Sequence, residues 1–278
     1  MLIDGSPYGV TGGPDGALWF TLVHQGRIGR AVPGEEPVYF PLDPADGQPT
    51  VIAAGPDGAL WFTEFVGGRI GRITVDGTVS AFEASSPYGI AAGPDGAMWF
   101  TRLQDDAIGR ITPEGETSSY ALPDKGLMPS VIAAGPDGAM WFTLNQGNAI
   151  GRITTGGDVS TYPLPTPGAA PVGICAGPDG ALWFVEIGAG QVGRIDTSGA
   201  VTDFPLPQRD ARPHAITAGP DGALWLTEWG AGLLARITTD GTIQEFELEG
   251  DEPHGLAVGP DGAVWVAMES GRLTRHPV

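Results

Sequence analysis

Apolar residues in this chain occur in short runs that turn residues separate at regular intervals. In residues 88–121, for example, apolar runs at 88–92 and 97–101 flank a Pro-Asp-Gly turn, and two further runs follow around a second turn. Proline presets φ and glycine accepts a positive φ, so both are typical of tight turns. The pattern predicts four antiparallel strands per unit.

The unit is repeated along the whole chain. Gly-Pro-Asp-Gly occurs seven times, at intervals of 42, 38, 42, 42, 42 and 40 residues. A period of about 40 with four short strands per unit is typical of a β-propeller. The first two runs of each unit are almost continuously apolar, which indicates burial on both faces, as between neighbouring blades. We therefore predict an all-β, seven-bladed β-propeller of four-stranded antiparallel blades, forming one domain over residues 1–278.

Composition agrees with a periodic β protein. The 278 residues include 45 Gly and 26 Pro, a share that indicates disorder unless it is periodic. A hydrophobic content of 41% and eight Trp supply a core. The repeated Trp and Arg are predicted to be structural, the Trp packing between blades: Trp19, Trp61, Trp99, Trp141, Trp183, Trp225, Trp265 and Arg30, Arg72, Arg110, Arg152, Arg194, Arg236, Arg275.

Charge and termini restrict the partners. The net charge of −19 disfavours nucleic acid and anionic membranes, which attract Lys and Arg patches. No run of about 20 apolar residues is present, and the N-terminus lacks a basic, apolar leader. A single Cys suits a reducing compartment. We therefore expect a soluble, cytoplasmic protein. We also expect a monomer, because a closed ring exposes little strand edge through which copies could pair.

Closure of the ring depends on the two ends of the chain. The chain ends at Val278, after the third strand of the seventh unit, and only residues 1–4 precede the first inner strand. We expect the ring to close between the N-terminal segment and the last blade, with a closing strand of two or three residues.

One position varies between the repeats where the scaffold does not dictate it. A Pro lies six residues before each Gly-Pro-Asp-Gly, and the residue after it starts the innermost strand, at one mouth of the central channel. Around the ring these residues are Tyr8, Thr50, Tyr88, Ser130, Val172, His214 and His254. Rotational order makes Tyr8, His254 and His214 neighbours, which indicates a functional site. The alternative is a polar ring that lines a wet channel.

Two carboxylates are predicted at the same mouth. Counting outward from the turn between Pro260 and Asp261 places Glu252 opposite Glu269, with a slip of one residue if the hairpin contains a bulge. Like charges that face each other across strands are unfavourable. The pair therefore indicates either a shared proton or a divalent cation, for which we expect Mg²⁺ completed by water.

Trp229 is the one Trp outside the repeated position, and the same counting places it opposite Arg212, beside His214. It could form an aromatic wall for an apolar substrate or a contact between blades. The remaining candidates are predicted to be scaffold or surface or receive no role: Glu64, Glu186, Glu228, His24, His276 and Cys175.

These segments resemble a known family. Repeats of Trp-Phe-Thr-Glu and Ile-Gly-Arg-Ile-Thr, with residues 211–219, 227–230, 251–255 and 267–269, are similar to the virginiamycin B lyases, also called streptogramin B lyases. The resemblance covers nearly the whole chain. The repeats are common to many propellers, whereas the mouth residues are more specific.

The resemblance implies a lyase that linearises streptogramin B cyclic depsipeptides by Mg²⁺-dependent β-elimination at the threonyl ester, which gives antibiotic resistance. It implies that His254 removes the threonine α-proton, that Glu252 and Glu269 bind Mg²⁺, and that His214 and Tyr8 contact the substrate. The family's N-terminal segment is longer than this one. A metal-dependent lactonase or esterase and a non-enzymatic binding propeller are the alternatives.

Overall fold

The computed structural model describes residues 1–278 and contains 27 strands and no helix, so no helix could span a membrane. The strands form seven separate antiparallel sheets, each built from consecutive strands. The prediction of an all-β, seven-bladed propeller is confirmed.

The first four blades each contain four strands. Blade 1 contains β1 (Pro7–Gly12), β2 (Leu18–Leu22), β3 (Arg27–Ala31) and β4 (Val38–Pro41). Blade 2 contains β5 (Pro49–Ala54), β6 (Leu60–Glu64), β7 (Arg69–Ile73) and β8 (Val79–Glu83). Blade 3 contains β9 (Pro87–Ala92), β10 (Met98–Arg102), β11 (Ala107–Ile111) and β12 (Thr117–Ala121). Blade 4 contains β13 (Pro129–Ala134), β14 (Met140–Leu144), β15 (Ala149–Ile153) and β16 (Val159–Pro163).

The last three blades continue the pattern. Blade 5 contains β17 (Pro171–Ala176), β18 (Leu182–Glu186), β19 (Gln191–Ile195) and β20 (Val201–Pro205). Blade 6 contains β21 (Pro213–Ala218), β22 (Leu224–Glu228), β23 (Leu233–Ile237) and β24 (Ile243–Glu247). Blade 7 contains β25 (Pro253–Val258), β26 (Val264–Met268) and β27 (Arg272–His276).

The N-terminal segment lies along the outer strand of blade 7. Leu2 forms an antiparallel bridge with Arg272. The amide of Leu273 donates to the carbonyl of Met1 at 3.0 Å, and the amide of Ile3 donates to the carbonyl of Gly271 at 3.0 Å. The segment therefore completes a three-stranded sheet with a very short strand.

A repeated network fixes each blade hairpin. In all seven blades the Asp of the turn accepts a hydrogen bond from the indole of the repeated Trp at 3.0–3.2 Å. Its second oxygen accepts from Nε of the repeated Arg at 2.6–2.7 Å. The Trp side chains are 0–3% exposed and lie in core clusters that extend from one blade to the next. The Trp and Arg are therefore structural.

Candidate active site at the channel mouth

A β-bulge sets the direction of each side chain at the start of the inner strands. In blade 7, Leu256 pairs with Val266, but Pro253 pairs with Met268, so the register shifts by one residue between them. The same shift occurs in the first strand pair of the other six blades. Bulges often re-aim a side chain. Here the shift lies at the start of the inner strand, at His254, whereas the sequence suggested the hairpin turn.

Three aromatic side chains from consecutive blades are in contact at this mouth. The ring of Tyr8 stacks on the ring of His254 with a centroid distance of 4.3 Å. His214 meets His254 edge to face at 5.1 Å and Tyr8 edge to face at 6.1 Å. Blades 6, 7 and 1 thus each contribute one residue to a single cluster.

Neighbouring blades fix the backbone of this cluster. Thr227 of blade 6 donates from Oγ1 to the carbonyl of His254 at 2.8 Å, and Thr residues of blades 1 to 4 make the equivalent bond to the next blade. Gly255 lies so close to β1 that a Cβ atom there would be 2.8 Å from the carbonyl oxygen of Tyr8. A side chain at this position would separate blades 7 and 1, so the close approach of Tyr8 to His254 requires glycine.

The Glu269 carboxylate bridges two histidines. Its Oε2 lies 2.7 Å from Nε2 of His254, and its Oε1 lies 2.6 Å from Nε2 of His24. The side chain of Glu269 is 20% exposed, compared with 10% for His254 and 57% for His24. Sequence reasoning gave His24 no role. It is 245 residues from Glu269, and only ring closure between blades 1 and 7 brings the two together.

Glu252 faces Glu269 across the same end of the hairpin. The amide of Glu269 donates to the carbonyl of Glu252 at 3.1 Å. Glu252 has a φ of 58°, in the left-handed region that non-glycine residues rarely adopt. The residue before the inner-strand Pro has a φ of 48–51° in five other blades, so the scaffold imposes this conformation. The exposed Glu252 side chain makes no hydrogen bond or ion pair within the chain.

Burial disfavours the charged form of both imidazoles. Burial and, to a smaller extent, the nearby His254 together lower the pKa of His214 to about 3. Burial also lowers the pKa of His254, against the opposing effect of the Glu269 and Glu252 carboxylates. Nδ1 of both rings is buried without a hydrogen-bond partner. Glu269 faces Nε2 of His254 and can stabilise the protonated ring.

Trp229 extends the cluster on the blade 6 side. Its amide donates to the carbonyl of Arg212 at 3.2 Å, and its ring lies 6.4 Å from that of His254. The guanidinium of Arg212 lies 5.7 Å from the centroid of the Trp229 ring. The indole N–H is buried without a partner. Trp229 therefore lies beside His254, which is the position that an aromatic wall of the site would occupy.

Tyr88 contacts the cluster from blade 3. The hydroxyls of Tyr8 and Tyr88 are 3.2 Å apart, which links blade 1 to blade 3. Burial and the contact with Tyr88 raise the pKa of Tyr8 well above 10. A cavity of about 180 Å³, lined mainly by apolar residues of the inner strands, lies in the channel at Tyr8, Tyr88 and His214. Sequence reasoning placed Tyr88 in the ring but did not single it out.

Glu252 and Glu269 carry carboxylates, the oxygen ligands that hard cations prefer. Mg²⁺ is commonly held by one or two carboxylates and completes its coordination with water. The protein contains no group of three or more His, Cys, Asp or Glu side chains that could hold a metal ion. The Glu252 carboxylate makes no hydrogen bond, whereas both oxygens of the partly exposed Glu269 contact a histidine. The carboxylates of Glu252 and Glu269 are of the chemical type that Mg²⁺ accepts, and such an ion would need water or substrate oxygens as its remaining ligands.

The three recurrent glutamates at the ends of second strands are buried, at 0–2% exposure. Glu64 pairs with Arg69 at 2.6 Å, and Glu186 accepts from the Gln191 amide at 2.7 Å. Glu228 has no partner for either oxygen. These side chains are packed within their blades and do not form the channel-mouth cluster. Burial also raises the pKa of the Cys175 thiol to about 12, so this group is not a nucleophile.

Comparison with known proteins gives one consistent result. The model of the virginiamycin B lyase family matches residues 2–276. The selenomethionine-substituted virginiamycin B lyase from Staphylococcus aureus is 42% identical, with a TM-score of 0.95 over 99% of this chain and 97% of that chain. A catalytically inactive histidine-to-alanine variant of the Staphylococcus aureus lyase, solved with quinupristin, is 42% identical, with a TM-score of 0.94 over 98% and 94% of the two chains.

A curated relative matches over a short segment only. The virginiamycin B lyase from Saccharopolyspora erythraea is 64% identical over 39 residues, which span 14% of this chain and 13% of that protein. The family model and the structural matches, in contrast, extend over almost the whole chain. This chain therefore belongs to the virginiamycin B lyase family.

Proposed function

We propose that this protein is a streptogramin B lyase that opens cyclic depsipeptides at the threonyl ester and so confers resistance to them. The observation that carries the proposal is the contact of His254 with Tyr8 and Glu269 at the channel mouth. A neutral imidazole, an aromatic surface and an acidic pair meet there in a protein of this family. The solved relative with quinupristin supports a cyclic depsipeptide as the substrate.

The chain's own residues account for the proton transfer. His254 takes the threonine α-proton, and the electron pair of the Cα–H bond forms a double bond between Cα and Cβ. The bond between Cβ and the ester oxygen breaks, and the carboxylate leaves without consuming water. The imidazolium that forms is stabilised by Glu269, whose Oε2 lies 2.7 Å from Nε2 of His254. In the catalytically inactive relative one histidine is replaced by alanine, which supports a catalytic role for a histidine.

We propose that Glu252 and Glu269 hold Mg²⁺. When bound, this ion supplies Lewis acidity toward a carbonyl oxygen of the substrate, which makes the neighbouring Cα–H more acidic. His214 stays uncharged and presents a polar edge to the substrate beside His254. Tyr8 and Trp229 provide aromatic surface on two sides of His254.

Incubation with a streptogramin B, with Mg²⁺ and with EDTA, tests the proposal. We expect a ring-opened product of unchanged mass and new ultraviolet absorbance from the dehydrobutyrine residue, and no product with EDTA. His254→Ala is expected to lower kcat by at least about 10²-fold, the contribution typical of a general base. A product heavier by one water would show a lactonase or esterase. No ring opening with Mg²⁺ present would contradict the substrate assignment.

A further inference from the structure

A second apolar surface lies on the opposite side of the mouth from Trp229. Phe65 and Val66 belong to the loop between β6 and β7 of blade 2, which is on the same face of the propeller as the loop that carries Glu269. Phe65 occupies in blade 2 the position that Trp229 occupies in blade 6, directly after a buried Glu. Trp229 and Phe65 therefore lie at equivalent positions of blades 6 and 2, on the same face of the propeller.

A continuous series of aromatic contacts joins the two sides. Phe65 meets Tyr88 edge to face with a centroid distance of 6.1 Å. The Tyr88 hydroxyl contacts that of Tyr8, and Tyr8 stacks on His254. His254 in turn lies beside Trp229. The aromatic surface therefore begins at Trp229, passes the reactive imidazole and reaches Phe65.

The Phe65 end opens into a cavity of about 650 Å³. Its lining consists of residues 65–68, the connection between blades 2 and 3 at residues 83–86, and Gln104 of blade 3, so that polar groups lie beside the apolar side chains of Phe65 and Val66. Val66 is 60% exposed, and other large exposed apolar residues lie at the chain ends or in blade segments away from this mouth. The volume lies within the range of about 300–1,000 Å³ that is common for ligand pockets, so part of a ligand can enter it.

The backbone holds this loop in place without a substrate. The amide of Phe65 donates to the carbonyl of Gln48 at 3.3 Å, and the amides of Val66 and Gly67 donate to the carbonyl of Gly47 at 3.1 and 3.0 Å. An apolar side chain held on a fixed loop next to a reactive site reduces the entropy lost when a ligand binds.

We propose that Phe65 and Val66 form a subsite for an apolar side chain of the cyclic depsipeptide, on the side of the ring distant from the threonyl ester. The inference rests on the proposed function, since it concerns the same site. A cyclic depsipeptide carries side chains around its whole ring, so one that places its ester at His254 extends other groups over the mouth. The aromatic surface leads such a group toward Phe65. These two residues then determine specificity through binding rather than through chemistry.

Steady-state kinetics with quinupristin test the subsite. Phe65→Ala and Val66→Ser are expected to raise KM about fivefold to tenfold and to leave kcat within about twofold, because the contact is the same in the ground state and the transition state. Phe65→Leu, which keeps an apolar side chain, is expected to restore most of the affinity. Val75→Ser is the matched control, since Val75 is also exposed on blade 2, at 42%, but lies in the turn at the other face.

The outcomes separate the subsite from the activity. If the parent turns over quinupristin and both Phe65→Ala and Val66→Ser keep the parental KM, the subsite is wrong and the proposed function stands. A lower kcat with an unchanged KM in both variants would also contradict the subsite. If the parent does not open quinupristin at all, the proposed function fails, and the subsite fails with it.

Discussion

Glu269 links two histidines that are far apart in the sequence. His254 lies 15 residues before it on the same blade, and His24 lies in blade 1. The position of His254 follows from the repeat, because it directly follows a Pro that recurs in every unit. The His24 contact follows from no spacing, because the loop between β2 and β3 meets blade 7 only when the ring closes.

His24→Ala is expected to weaken Mg²⁺ binding. A hydrogen bond to a metal-ligating carboxylate orients it, and its loss typically costs 10- to 100-fold in metal affinity. We expect the Mg²⁺ concentration for half-maximal activity to rise at least about tenfold, with activity recovering at high Mg²⁺. Gln146→Ala is the matched control, since Gln146 holds the equivalent exposed position in blade 4. An unchanged Mg²⁺ requirement would show that His24 does not orient Glu269.

At the scale of the strand, the same glutamate position has three different environments. Glu64 on β6 pairs across the sheet with Arg69 on β7, and Glu186 on β18 pairs with Gln191 on β19. Glu228 on β22 faces Leu233 on β23. Burial, with a further effect from Glu245, raises the pKa of Glu228 from 4.5 to about 7. The sequence showed that the glutamate recurs, but the free-energy cost of burying its carboxylate depends on the side chains that surround it.

Leu233→Arg is expected to stabilise the protein at alkaline pH. In the parent the folded state keeps the Glu228 proton more tightly than the unfolded state, so the free energy of unfolding falls as pH rises from 4.5 through about 7. An Arg at 233 reproduces the Glu64–Arg69 ion pair, which favours the ionised carboxylate and removes this loss.

Thermal unfolding of the parent and Leu233→Arg at pH 5 and pH 8 measures the effect. The variant should have the higher Tm at pH 8, and the difference between the two proteins should be smaller at pH 5. Leu233→Gln, which copies the Glu186–Gln191 pair, should lie between them. The same pH dependence in all three proteins would contradict a protonated Glu228.

At the scale of the whole molecule, the proposed catalytic site lies at the junction that closes the ring. Tyr8 belongs to the first blade and His254 to the last, and the residues before Tyr8 pair with β27. Ile3 is 8% exposed and packs in a cluster that joins blades 1 and 7. The site therefore depends on contacts between the two ends of the chain.

Ile3→Ala is expected to lower the free energy of unfolding by about 2 kcal/mol, the low end of the range for a buried Ile. Hydrogen exchange should rise at the Leu273 amide, which donates to Met1, more than at amides of β15 in blade 4. kcat/KM should fall, because the contact between Tyr8 and His254 crosses the weakened junction. If hydrogen exchange rose equally in blades 4 and 7, the N-terminal segment would not be stabilising the junction of blades 1 and 7 in particular.

The sequence by itself determined the seven blades, the structural roles of the repeated Trp and Arg, and which residue starts each inner strand. These features recur in every unit, and the rotational order of the units determines which blades are neighbours. Only the tertiary structure decided that Glu269 meets both His254 and His24, that Tyr88 supports Tyr8, and that Glu228 has no partner. Those contacts join loops or side chains that differ from blade to blade. Their geometry depends on closure of the ring and on side-chain packing, neither of which can be derived from the spacing of motifs along the sequence.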